Sequence, residues 1–246
     1  MKGIIIVAFF FITLFLFTSV IPYKDLHPSK HFPWGTVLLI SVNLGVFLYQ
    51  VLLPETLGVQ FIYKYSVIPF EFKVGHNISI SPGFPFILSI YTAMFLHGGC
   101  LHLIGNMLYL WIFGDNVEDR MGGGRFLLFY LFCGTVATVA QIYAGLDSRV
   151  PALGASGAIA GILAAYLRLF PKARIGVLVP IFFFLRTFIL PAWAVLGFWL
   201  LLQIVQVQSA GPKEMGGVAY FAHLGGFIAG LLFTPIFLRK TKKRRK

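Results

Sequence analysis

Four polar side chains within otherwise apolar stretches carry the residue types of a hydrolytic site. His102 and Asn106 are four positions apart, so a helix would place them on one face. Ser156 stands in a Gly-Ala-Ser-Gly stretch, and His223 precedes Leu-Gly-Gly. A serine nucleophile, a histidine base and nearby hydrogen-bond donors for an oxyanion are the groups that hydrolysis of an acyl bond requires. These four residues are therefore the candidate catalytic residues.

The sequence gives little support to other chemistries. It contains no HExxH zinc motif, and Cys100 and Cys133 lack the spacing of metal ligands or of a disulfide framework, so we expect no metal and no cofactor. A bis-histidine haem site at His102 and His223 would leave the Gly-Ala-Ser-Gly stretch unexplained. A triad or an aspartyl dyad needs a carboxylate at the site, but every carboxylate lies in a predicted loop or at a helix end, which leaves a Ser–His dyad. These carboxylates are Asp25, Glu55, Glu71, Asp115, Glu118, Asp119, Asp147 and Glu214.

Composition indicates a polytopic membrane protein. Of the 246 residues, 58% are hydrophobic and only 11% are charged, compared with about 25% charged in soluble domains. Only helices and closed barrels satisfy the backbone in a hydrocarbon core of about 30 Å. The apolar runs are too continuous for barrel strands, so they predict an all-α transmembrane bundle with spans at about 4–21, 36–53, 93–114, 126–145, 153–170, 191–207 and 217–238. We divide the chain into an N-terminal hydrophobic helix (1–22), a membrane domain (23–238) and a basic tail (239–246).

The distribution of Lys and Arg predicts the orientation of the chain. The net charge is +12, and seven of the twenty basic residues form the run Arg239–Lys246 beside the last apolar segment. We interpret this run as a cytoplasmic tail near anionic lipid headgroups and not as a nucleic-acid site. Over all loops, fourteen basic residues fall on the side of this tail and four on the other. The C-terminus is therefore predicted to be cytoplasmic, and in a bacterium the chain would lie in the cell or inner membrane.

Two further apolar segments need an assignment. A membrane crossing by Ile175–Leu190 would place His223 on the face opposite Ser156, so we expect an interfacial or re-entrant segment whose Arg186 reaches the headgroups. The run Gly3–Val20 suits a signal sequence or an extra span, and no small-residue cleavage site stands out near its end. We favour an uncleaved helix, because cleavage of a signal would place Tyr23–Trp34 outside, against the distribution of basic residues. With this topology, the spans that carry the candidate residues enter from the outer side, and those residues should lie one to two turns deep.

Glycine spacing predicts which helices meet. Gly157 and Gly161 lie four apart in the span that carries the serine, and Gly226 and Gly230 lie four apart in the last span. Such small-residue ridges allow helix backbones to approach closely in lipid. Contact between the two ridges would bring the serine and the last histidine together, although the same ridges also serve ordinary helix packing.

In order and spacing, these residues resemble the rhomboid family of intramembrane serine proteases over about Ile21–Leu238. The resemblance rests on Ile21–Pro33 with the following span, His97-x-x-x-x-His102-x-x-x-Asn106, Glu118-x-Arg120-x-Gly122, Gly154-Ala155-Ser156-Gly157 and Ala222-His223-Leu224-Gly225-Gly226. It implies a six-helix bundle, here with one extra N-terminal helix. It also implies that the substrates are single-span membrane proteins, cleaved within the lipid bilayer near the extracytoplasmic face.

The resemblance also implies roles for individual residues. Ser156 matches the nucleophile of the family, and His223 matches the general base. His102 and Asn106 match the side chains that line the oxyanion hole, with the backbone N–H of Ser156 as a third donor.

Supporting roles are expected for His97, near a helix end, and for Gly154 and the ridge glycines. Many family members carry an aromatic ring against the catalytic histidine, four positions after the serine. This chain has Ala160 there, so the sequence does not show what holds the imidazole.

Two functions of other classes are alternatives to the protease. A catalytically inactive rhomboid-like protein would bind membrane clients without cutting them, but the intact Ser156 and His223 favour an enzyme. A transporter would need polar residues at the middle of the membrane, where the candidate residues do not lie. For a protease, we expect the 191–207 span, with Phe198 and Trp199, to form the lateral opening for substrate.

Overall fold

The computed structural model describes residues 20–78, 84–181, 184–209 and 219–239, and most of these residues are helical. The helices are α1 (Trp34–Leu52), α2 (Glu55–Tyr65), α3 (Pro69–Val74), α4 (Ser89–Thr92, flanked by the 3₁₀ turns Phe86–Leu88 and Ala93–Phe95), α5 (Cys100–Met121), α6 (Gly123–Ala144), α7 (Ser156–Leu169), α8 (Ala192–Ser209) and α9 (Tyr220–Phe237). The predicted helical bundle is thus confirmed. The N-terminal span predicted at 4–21 falls almost entirely outside the described residues, although Ile21 at its end lies in a strand.

Length and hydropathy single out α1, α6 and α9 as helices that are able to cross a membrane. The stretch Phe86–Phe95 together with α5 makes a fourth candidate, bent by 78°. Helix α7 is apolar but has only 14 residues, so it is about 21 Å long and shorter than a hydrocarbon core of about 30 Å. Helix α7 is therefore too short to cross such a core by itself.

Helix α7 forms the centre of the bundle. Every residue from Gly157 to Tyr166 is buried, as expected for a helix that is surrounded by others. A β-carbon on Gly226 of α9 would overlap the carbonyl oxygen of Gly157, and one on Gly230 would overlap that of Gly161. The two glycine ridges therefore face each other, and the backbones of α7 and α9 are in direct contact.

The boundaries predicted for the third span, 93–114, are wrong by seven residues at each end. Helix α5 begins at Cys100, after a break at His97-Gly98-Gly99. Each glycine lowers helix propensity by about 1 kcal/mol relative to alanine, so the chain bends here instead of continuing one helix from residue 93. At its other end α5 continues to Met121, before Gly122 with φ +82°.

The apolar segment 175–190, predicted to be interfacial or re-entrant, is a β-hairpin. Strands β2 (Arg174–Ile181) and β3 (Phe184–Pro191) pair antiparallel with Arg174 opposite Pro191, so the segment ends beside its own beginning. Strand β1 (Ile21–Asp25) pairs with the other edge of β2. The all-α prediction missed this sheet, although the hairpin is rich in the branched and aromatic residues that favour strands.

Helices α2 and α3 lie in the region 54–89, a stretch with several prolines and glycines between the spans predicted at 36–53 and 93–114. Pro54 caps α2 and Pro69 occupies the first turn of α3. Prolines suggested turns in the sequence, but a proline at the start of a helix removes no hydrogen bond that the helix needs.

Glu118, near the end of α5, fixes the start of α1. Its carboxylate oxygens accept hydrogen bonds from the backbone N–H groups of Gly35 and Thr36, both at 2.8 Å, and from the Thr36 hydroxyl at 2.9 Å. A carboxylate at a helix N-terminus satisfies free N–H groups and interacts favourably with the helix dipole. This contact joins α1 to α5 at the end of α5 that lies away from His102.

Candidate active site

A sharp turn before α7 presents Ser156 at the N-terminus of that helix. Gly154 has φ +127°, a conformation that residues with a side chain rarely adopt. A β-carbon at Gly154 would also lie 2.8 Å from Cε1 of His102, so the position needs glycine on both counts. Helix α7 starts at Ser156, and its first N–H groups have no acceptor within the helix. These N–H groups and the helix dipole favour negative charge beside the serine hydroxyl.

The ring of His102 lies against the same turn, and Asn106 lines the same cavity one helical turn further along α5. The Gly98 N–H donates to Nδ1 of His102 over 3.4 Å, and a neutral imidazole that accepts at Nδ1 carries its proton on Nε2. The Cε1–Nε2 edge of this ring is the part that lies against Gly154. The Asn106 amide donates one hydrogen to the His102 carbonyl over 3.0 Å, which leaves a second hydrogen on the same nitrogen.

His223 is buried in the first turn of α9 and held mainly from α8. Its Nδ1 lies 2.6 Å from Oε1 of Gln203. The ring of Trp199, one turn earlier on α8, lies with its centroid 5.9 Å from the imidazole at an angle of 42°, and Tyr220 approaches edge-on at 6.3 Å. Helix α8 therefore supplies the aromatic neighbour that Ala160 does not.

The four candidate residues line a single cavity of about 600 Å³. This volume falls within the roughly 300–1,000 Å³ that is typical of ligand-binding pockets. The residues that complete the wall around the candidates include Gly105, Tyr109, Ile159, Leu163, Trp199 and Ala219. The prediction from sequence placed His102, Ser156 and His223 one to two turns inside their helices, but each lies in the first turn. The shift of α5 and the late start of α7 account for this difference.

His97 occupies a different position from the other candidates. Its side chain is almost fully buried, and its backbone N–H and carbonyl bond to the side chain of Gln50 on α1 at 3.2 and 2.8 Å. The imidazole packs edge-on against His102, with the ring centroids 5.1 Å apart. His97 therefore lies behind the ring of His102.

The loop before α7 is held by backbone contacts from earlier in the chain. Val67 and Ala152 exchange two hydrogen bonds, at 3.0 and 2.7 Å. The Gly154 N–H donates to the carbonyl of Ala93 at 2.8 Å. The region of α2 to α4 thus fixes the turn that presents the serine, a role that the sequence did not suggest.

Two glutamines at the site were missed in the prediction from sequence. Gln203 contacts His223, and Gln141 on α6 lines the cavity and accepts the backbone N–H of Ala222 at 3.3 Å. Both residues are polar groups within predicted membrane spans. The argument that selected His102, the cost of burying a polar group in lipid, would also have selected them.

Carboxylates lie at the end of α5 that is far from His102. Asp115 is thirteen positions beyond His102, which corresponds to about 20 Å along a helix. Asp25 joins this end through Asn116, whose Nδ2 donates to Asp25 Oδ2 at 2.7 Å. Burial raises the pKa of the Asp25 carboxyl. Within the ranges that the structure describes, no group of three His, Cys, Asp or Glu residues is placed to hold a metal ion.

Comparison with known proteins gives consistent similarities. A family model described as the rhomboid domain matches residues 87–240. Rhomboid protein 1, mitochondrial, from Saccharomyces cerevisiae is 29% identical over 240 residues, which cover 94% of this chain and 61% of that protein. Presenilin-associated rhomboid-like protein A, mitochondrial, from Danio rerio is 32% identical over 152 residues, 59% of this chain and 36% of that protein.

A bacterial relative matches a shorter stretch at higher identity. Rhomboid protease GluP from Bacillus subtilis is 45% identical over 78 residues, which cover 32% of this chain and 15% of that protein. The chain thus spans less than two thirds of the length of each of these three relatives.

Proposed function

The chain belongs to the rhomboid family, and from this premise we propose that it is an intramembrane serine endopeptidase with Ser156 as nucleophile and His223 as general base. The observation that carries the proposal is the shared cavity, which Ser156 and His223 line together with His102 and Asn106. The similarity to a bacterial rhomboid protease supports the same activity.

In the proposed reaction, the imidazole of His223 removes the proton from Ser156 Oγ while this oxygen bonds to the carbonyl carbon of the substrate. The imidazolium then gives the proton to the leaving nitrogen as the C–N bond breaks, which leaves an acyl-enzyme. Water, deprotonated by the same imidazole, hydrolyses the ester and restores the serine. The carboxylates at the far end of α5 are too distant to take part, so none of them serves as an acidic partner of the dyad.

The oxyanion that forms on the carbonyl oxygen requires hydrogen-bond donors. The Nε2–H of His102 and the second amide hydrogen of Asn106 belong to side chains that line the cavity with Ser156, and the first N–H groups of α7 start at the serine itself. Donors that are already in place cost little reorganisation when the charge develops, and each contributes more in a site shielded from water. We assign the oxyanion hole to these three sources.

The cavity suits an extended, apolar stretch of substrate. Ile159 and Leu163 line it one and two turns deeper along α7 than the serine. A regular substrate helix would keep its carbonyls in internal hydrogen bonds, so it must unwind to reach Ser156. We therefore propose that the substrates are single-span membrane proteins cut near the extracytoplasmic face, with the C-terminus of the protease in the cytoplasm.

The full chain purified in detergent tests this proposal. A fluorophosphonate probe should label the wild type, and a panel of single-span proteins should include substrates that it cleaves. Ser156→Ala and His223→Ala should each abolish cleavage, because the two residues act as one unit. The melting temperature of each variant is measured alongside to show that it is folded.

Two results would contradict the proposal. Cleavage by Ser156→Ala at the wild-type rate would remove the serine from the mechanism. A wild type that neither reacts with the probe nor cuts any protein in the panel would favour the inactive client-binding alternative.

A further inference from the structure

Gln203 forms a hydrogen bond with the candidate base inside the protein. Its Oε1 lies 2.6 Å from Nδ1 of His223, and the two residues are each only 8% exposed. A buried polar pair of this kind, made by helices α8 and α9, is costly unless each partner satisfies the other. The bond therefore fixes the rotation of the imidazole as well as its position.

This contact selects one tautomer of His223. The amide oxygen of glutamine only accepts hydrogen bonds, so the bond is made by an imidazole with its proton on Nδ1. Nε2 is then unprotonated, which is the state that a base needs in order to take a proton from a serine hydroxyl. In triad hydrolases a carboxylate performs this orienting role, whereas here a neutral amide occupies the corresponding side of the ring.

The same helix supplies a second contact to the imidazole. Trp199 and Gln203 are four positions apart and therefore share one face of α8. Among the residues that the structure describes, the titratable groups near His223 are His102 on α5 and, on its own helix α9, Tyr220. Neither is a carboxylate, so the amide of Gln203 is the acceptor that Nδ1 uses.

We propose that Gln203 is the positioning residue of the catalytic base, holding His223 with its proton on Nδ1 and its Nε2 free for Ser156. This inference rests on the proposed protease function. It also implies that displacing α8 releases the imidazole, because Gln203 and Trp199 would both move away with that helix.

The first experiment compares three variants of the full chain in detergent. Q203L removes the acceptor, Q203E retains an acceptor, and Q206L makes the same change as Q203L at an exposed position one turn further along α8. A positioned general base contributes about 10²- to 10⁴-fold, so we expect Q203L to slow labelling of Ser156 by a fluorophosphonate at least 10-fold. Q206L should stay within about twofold of wild type. Q203L leaves a buried N–H without its acceptor and should melt somewhat lower, so labelling is measured at a temperature at which all three variants are folded.

Q203E separates an orienting role from a packing role. Its carboxylate still accepts from Nδ1 and also stabilises the protonated ring, so labelling should recover and the acidic limb of its pH profile should move to higher pH. Wild-type labelling by Q203L, or a Q203E profile that matches wild type, would overturn the inference while leaving the proposed protease intact.

A second measurement does not depend on activity. NMR of protein carrying ¹⁵N-histidine reports the tautomer of each ring, and the signal of His223 is identified by its loss in H223Q. The wild type should show the Nδ1–H tautomer of His223, and Q203L should shift the population toward Nε2–H. A wild-type ring protonated on Nε2 would refute the role of Gln203. An Nδ1–H ring in a chain that neither labels nor cleaves would instead refute the protease function and leave the contact in place.

Discussion

Gly226→Ala should damage both stability and activity, because the added methyl group has no space. A β-carbon at Gly226 would overlap the carbonyl oxygen of Gly157, which is backbone and has no rotamer to change. Restoring a normal contact requires α7 and α9 to separate by roughly 1 Å, and overpacking of this kind costs about 1–3 kcal/mol. The added methyl group would lie next to Ser156 and one turn from His223. A misplacement of about 1 Å at reacting groups lowers rates on the order of 10²-fold.

Gly45→Ala is the matched control for this substitution. Gly45 is also within a membrane-crossing helix, α1, but a β-carbon there would meet no atom within 4 Å. Removing a helical glycine without a clash should stabilise by about 0.5–1 kcal/mol and leave activity unchanged. Unfolding in mixed micelles measures stability, and the rate of fluorophosphonate labelling measures the dyad. Unchanged stability and labelling in Gly226→Ala would refute the close backbone contact.

Three further experiments test the site and the topology. Asn106→Ala removes one of several oxyanion donors, so kcat/KM for cleavage should fall on the order of 10²-fold, and a loss below about twofold would remove the residue from the oxyanion hole. Phe198→Ala should speed cleavage of a transmembrane substrate more than cleavage of a soluble unfolded one. Trp199→Ala should slow cleavage of both substrates, because the Trp199 ring contacts the base. Equal effects of the two substitutions would contradict this distinction. A reporter fused after Lys246 should indicate a cytoplasmic location, and one inserted within 207–216 should indicate an extracytoplasmic location. The opposite result would invert the proposed orientation.

Helix positions and the helix contact followed from the sequence because both depend on local patterns. Apolar runs of the length of a bilayer predicted the bundle. Five of the predicted spans coincide with helices to within a few residues, and a sixth corresponds to the displaced α5. The spacing of Gly157, Gly161, Gly226 and Gly230 predicted a close helix pair without reference to any partner. Small side chains at every fourth position form a ridge in any helix, so this prediction needed no tertiary information.

The segments outside the spans were predicted less well, because their structure depends on neighbours. The hairpin of β2 and β3 is stabilised in part by β1, which lies about 150 positions earlier in the chain. An extended segment gains its hydrogen bonds only from such a partner, and hydropathy does not reveal which segment that is. Helices α2 and α3 were hidden for a related reason, since prolines that start a helix and prolines that form a turn look alike in sequence.

The residue types of the candidate site were determined by the sequence, but the partner of the base was decided only by the tertiary structure. Ser156 and His223 stood out because polar groups are costly in apolar spans, and Gln203 met the same criterion without suggesting a role. Its function became visible when α8 placed Oε1 at 2.6 Å from Nδ1 of a histidine twenty residues away. Hydrogen bonds act over about 3 Å, and only the packing of α8 against α9 determines which polar groups come within that distance.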